Sequence, residues 1–147
     1  MEKDKIKIGD CFTYNLVGDE KHQYGFIIIN INKEIKRNSI EAALVVFNKE
    51  DISDIDSFKG GLIYTHQIYN PQKSILGVFC YEFRENTLEM LQNFEYIGEL
   101  KIDKSKFMIG SGGDALPEPK FSSLLIKAQA IIFADKTKTP LLNIILD

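Results

Sequence analysis

The chain contains no tryptophan, two histidines, two cysteines and four prolines, and each scarcity excludes a class of chemistry. Cys11 and Cys80 form no CxxC pair, which removes zinc ribbons and thioredoxin-type redox motifs. With no secretory leader in view, both cysteines are expected to pack as small apolar strand residues rather than as a disulfide. His22 and His66 belong to no HxH or HExxH pattern. His22, near Asp19 and Glu20, is expected in a solvated turn, and His66 in a strand. Two isolated histidines are too few for a typical two-metal hydrolase, so no metal and no cofactor are expected. No GxSxG elbow occurs. The glycines around Ser111 lack the lysine of a phosphate-binding loop and suggest a flexible loop.

Long apolar runs are also missing. None approaches the roughly 20 residues that span a bilayer, and no apolar segment follows the charged first residues, so a cytoplasmic protein with no membrane contact is expected. Excess positive charge is absent too. The formal net charge is −3, whereas a nucleic-acid binder needs a basic surface to neutralise phosphates. A basic protein partner is the easier match.

What remains is strand-forming sequence. The length of 147 residues suits one domain over 1–147 that buries roughly 70% of its unfolded surface. A Gly9-Asp10 turn precedes alternating Phe12, Tyr14 and Leu16, a period-2 strand signal. Residues 24–31 carry three consecutive isoleucines, which suits a strand buried on both faces, and the two segments read as a hairpin. Further strands are expected over 40–47, 62–69, 74–83 and 96–102. Residues 48–57 suit a short helical turn, capped by Asn48, or an acidic loop. Leu88, Met90, Leu91 and Phe94 have helical spacing, residues 110–119 read as loop, and 121–133 is ambiguous between helix and strand. The fold expected is mainly β: a twisted antiparallel sheet or partly closed barrel with one or two short helices.

The densest charge lies at Glu50, Asp51, Asp54 and Asp56. A calcium loop is excluded by the spacing. The cluster is either an ordinary solvated face or an acidic patch for a basic partner, with Tyr64 and Tyr69 of the following strand as aromatic anchors.

Three stretches carry a family resemblance. Gly9-Asp10-Cys11-Phe12, then Tyr24-Gly25-Phe26, and later Phe94-Glu95-Tyr96-Ile97-Gly98 resemble the strands of an immunity-protein family, numbered twenty-six among those of bacterial polymorphic toxin systems. The likeness spans about residues 5 to 100. It implies a protein without turnover of its own that binds a cognate toxin domain and occludes its site. Gly9, Asp10, Phe12, Tyr24, Gly25 and Gly98 would then be scaffold. A small phosphotriesterase is similar to that family, which implies a hydrolase as the alternative; a general protein-binding barrel is the third reading.

Overall fold

The computed structural model describes residues 6–14, 24–33, 38–47, 52–70, 73–78, 81–84, 94–109 and 137–146. They build one nine-stranded sheet. Its strands are β1 (Asp10–Tyr14), β2 (Tyr24–Lys33), β3 (Asn38–Val46), β4 (Leu62–Asn70), β5 (Lys73–Val78), β6 (Tyr81–Arg84), β7 (Phe94–Glu99), β8 (Phe107–Ile109) and β9 (Thr137–Pro140). A single-turn helix, α1 (Ile55–Phe58), precedes β4, and 3-10 turns occupy Lys104–Lys106 and Leu141–Ile144.

The main path runs β7-β1-β2-β3-β4-β5-β8, with β6 on β3 and β9 on β4. Every pairing is antiparallel except β5 with β8. The protein is thus mainly β, and the sheet is not closed into a barrel. The expected hairpin is present, with Phe12 opposite Phe26 and Cys11 opposite Ile27. The expected fifth strand is two strands, β5 and β6, which pair with different partners, β4 and β3. Strands β8 and β9 have no counterpart in the sequence reading.

One face carries Cys11, Ile27, Ile29, Ala43, Val45, Ile63 and Val78, all buried, and packs against Ile52, Phe58, Leu100, Phe107, Leu141, Ile144 and Ile145. On the hairpin's other face Phe12, Phe26, Ala42 and Leu44 are equally buried. The isoleucine run therefore sits in a strand covered on both sides: Ile27, Ile28 and Ile29 are each at most 1% exposed. A register shift between Ile28 and Asn30 inserts Ile29 as an extra residue in β2. Cys11 is a buried free thiol whose Sγ–H donates to the Gly9 carbonyl at 3.2 Å, and burial pushes its pKa up. Cys80, His22, Ser111 and the segments expected over 87–93 and 121–133 lie outside the described residues.

Candidate functional site

The acidic turn forms, but its cap is not Asn48, which lies outside the described residues. Asp54 caps α1. Its Oδ1 accepts from Ser57 N–H at 2.8 Å, and Ser57 Oγ in turn accepts from the Asp54 backbone N–H at 3.3 Å, closing a capping box. These bonds hold the Asp54 carboxyl below its usual range. Asp56 points outward with its side chain 85% exposed, 3.8 Å from Lys59 Nζ. A four-residue helix has almost no stability of its own. It stays because Ile52 and Phe58 are buried on either side of the acidic residues, and Phe58 meets Phe47 edge-on at 5.1 Å.

Of the other expected contact residues, Glu50 and Asp51 lie outside the described residues, and Tyr69 is placed only as a position in β4. Tyr64 needs a correction. It is 4% exposed, with the Lys138 ammonium 5.9 Å from its ring centre. A ring so covered offers a partner almost no surface; it lies beside its cross-strand neighbour Lys138 of β9 instead.

The strand expected over 96–102 forms as β7, but nothing in the sequence placed it beside the acidic turn. α1 packs against this strand, so that a side chain at Gly98 would come within 3.2 Å of Ile55. Glu95, Tyr96 and Glu99 of β7 are exposed. Tyr96, 42% exposed, meets Phe12 edge-on at 5.6 Å. It lies on the opposite face from α1, because the register between β1 and β7 skips Ile97. Glu99 pairs with Lys7 at 2.9 Å, an exposed contact that solvent screens. The described part of the site is thus Asp54 and Asp56 with Glu95 on α1's side of the sheet; Tyr96 and Glu99 face the other side. The alternation Glu95-Tyr96 in front of Ile97-Gly98 was its sequence signal.

The motif residues sit at the joint of β1, β2 and β7. Gly9 N–H donates to the Ile28 carbonyl at 2.7 Å and its own carbonyl accepts from Leu100 N–H at 2.9 Å. At Gly25 a side chain would collide with the Phe12 carbonyl and the Phe58 ring, at 2.6 and 2.8 Å, so only glycine lets the strands and α1 approach. Tyr24 opens β2. Asp10 is fully buried. Its Oδ2 accepts from Lys7 N–H at 2.8 Å, while Oδ1, like Thr13 Oγ1, has no partner among the described residues.

Burial, chiefly, raises the Asp10 pKa; the bond from the Lys7 N–H and the Lys7 charge oppose it, and Glu99 adds to it. A native state that holds its proton more tightly than the unfolded chain loses stability as pH rises through the native pKa. The fold should therefore gain stability as pH falls from neutrality toward the ordinary aspartate value near ~3.9. Asp54 and Asp103, whose pKa values are lowered by bonds from Ser57 and Ser105, act in a separate window below that value. Urea midpoints measured between about pH 4 and 7 should thus show a slope that Asp10→Asn flattens. Equal slopes in both proteins would refute this role for Asp10.

Among the described residues no three His, Cys, Asp or Glu side chains converge on a metal position, and no helix is long and apolar enough to cross a membrane. His66 is placed only as a β4 position opposite Gly77. No family model, curated protein or solved structure matches the chain.

Proposed function

We propose that the chain is an immunity protein that acts in the bacterial cytoplasm, docking on a cognate toxin domain and occluding its site without turnover of its own. The observation that carries this reading is the acidic corner made by α1 and β7. Asp54 and Asp56 stand on a turn pinned by Ile52 and Phe58, and Glu95, opposite Thr13 on the same side of the sheet as α1, adds a carboxylate on the adjoining strand. Preset, solvent-facing carboxylates suit electrostatic capture of a basic protein surface. Among the described residues β7 is also an end strand of the sheet, where extended partner segments can add.

The decisive experiment uses the tagged full chain as bait in its native cell, with mass spectrometry as readout. The expected result is one stoichiometric protein, encoded beside the chain, that is toxic when expressed without it. Recovery of no such protein overturns the reading. With the partner in hand, the double variant Asp54→Asn, Asp56→Lys should slow association roughly tenfold at low salt, with the difference shrinking as salt rises. Asparagine keeps the helix cap, so folding should be little changed. Unaltered association would remove α1 from the interface.

A further inference from the structure

The joint that carries the end of β7 encloses a titratable group that the acidic corner does not use. Residues 7–10 form a tight turn. Asp10 N–H donates to the Lys7 carbonyl at 3.1 Å, and Lys7 N–H donates back to Asp10 Oδ2 at 2.8 Å. Gly9, inside the turn, is bonded on both sides: its N–H reaches the Ile28 carbonyl of β2, and its carbonyl receives the N–H of Leu100, the residue just past β7. The turn that positions the Asp10 carboxyl is therefore the turn that holds the end of β7.

The surroundings of that carboxyl favour its neutral form. Asp10 is fully buried, and Oδ1 has no partner among the described residues. Toward β2 the turn meets apolar, buried Ile28. From β7, Glu99 stands directly opposite Asp10 and adds a second carboxylate, and Tyr96 adds no cation. The neighbouring Cys11 thiol is buried. Lys7 is the one cation among the described residues that acts on Asp10, and its ammonium is turned to Glu99 at 2.9 Å with the side chain 64% exposed. Burial, the largest influence, and Glu99 favour the proton on Asp10; the Lys7 N–H and the Lys7 charge favour the ion. A buried ion with an unmade bond costs far more than a buried neutral hydroxyl, so ionisation favours any movement that admits water. The β2 side of Asp10 is the interior of the sheet, where the hairpin is buried on both faces. On the β7 side, no residue from Glu95 to Glu99 is buried, and segments with so little burial open most easily.

We propose that Asp10 is a pH-sensitive latch: with a proton on its carboxyl the end of β7 stays bonded to Gly9, and loss of that proton opens the Leu100–Gly9 bond and brings the carboxylate to water. The latch is a property of the chain alone and is independent of the toxin-binding reading. The test is native-state hydrogen exchange of the ¹⁵N-labelled full chain across about pH 4 to 8, with rates corrected for the intrinsic effect of pH. The Leu100 amide should open more readily as pH rises, by up to about tenfold per unit above the ordinary aspartate value, and level off once the native Asp10 pKa is passed. Its opening should depend on denaturant far less than that of the slowest amides of β2 and β3, which open with the whole fold. The Gly9 amide, bonded to β2, should stay protected where Leu100 does not. Asp10→Asn still accepts from Lys7 N–H but cannot ionise, so its Leu100 profile should be flat. Glu99→Gln, an exposed change that spares the fold, removes the facing carboxylate and frees Lys7 for Asp10; the rise should then level off at lower pH. A Leu100 amide that opens only with the whole fold, a pH-independent profile in the parent, a rise that persists in Asp10→Asn, or a Glu99→Gln profile identical to the parent's would overturn the proposal.

Discussion

Gly9→Ala should destabilise the protein by about 2–6 kcal/mol, enough to unfold a domain of ordinary stability. Two separate costs combine. Gly9 has φ +99°, a conformation in which a residue with a Cβ is strained by about 1–3 kcal/mol. The added carbon would also overlap the Leu100 carbonyl oxygen and lie 3.4 Å from Glu99 Cγ, an overpacking cost of about 1–3 kcal/mol. The backbone cannot move aside cheaply, because Gly9 bonds to Ile28 on one side and Leu100 on the other. Gly60→Ala is the matched control. Gly60 is exposed, and a Cβ there finds only the Ser57 carbonyl, at 3.4 Å. Its replacement should be neutral or add up to about 1 kcal/mol by restricting the unfolded chain. Urea unfolding of the two variants checks both; equal stability would mean that the joint of β1, β2 and β7 is not as tight as described.

Phe58→Ala should cost about 3–5 kcal/mol, the range for emptying a buried aromatic site. Phe58 is fully buried and is the one buried residue within α1. It fills the space left by the missing side chain of Gly25 and stacks edge-on with Phe47. Its loss removes the anchor on the C-terminal side of α1, leaving Asp54 and Asp56 on a turn too short to persist alone. The variant should therefore also lose partner association in conditions where most of it remains folded. A fall in the denaturation midpoint with an unchanged denaturant slope would show a simple loss of stability. A variant as stable as the parent would contradict the packing described for α1.

Much of the architecture was legible because it follows local periodicity. The alternation around Phe12 and the isoleucine run of β2 specify a hairpin and a two-sided strand without knowledge of their neighbours. The acidic turn was legible as a turn, but its start was not. Asn48 and Asp54 are both good caps, and only the burial of Ile52 and Phe58 selects Asp54. Tyr64 was misplaced for a related reason. In β4, neighbouring Ile63 and Tyr64 are both buried, so alternation does not mark an outward face there. β8 and β9 were missed because they are three and four residues long and are strands only through distant partners. Thr137-Lys138-Thr139-Pro140 has no apolar alternation at all; its place is set by pairing with Leu62–Thr65 and by the contact between the Thr65 and Thr139 hydroxyls at 2.6 Å. The acidic corner was half legible, since its α1 half is contiguous in sequence and its β7 half is joined to it only by the fold.

The pairing of β9 with β4, and the burial of Leu141, Ile144 and Ile145 in the main core, bear on how the chain is made. During synthesis the early strands leave the ribosome long before the residues that complete their core. The parallel pairing of β5 with β8 adds a second wait, since β8 emerges about thirty residues after β5. Contacts this distant in sequence place the chain among slow folders, on the millisecond-to-second scale. A nascent chain therefore carries part of its apolar face uncovered until translation has passed residue 145, and in that interval it depends on chaperones or on speed of release to stay out of aggregates.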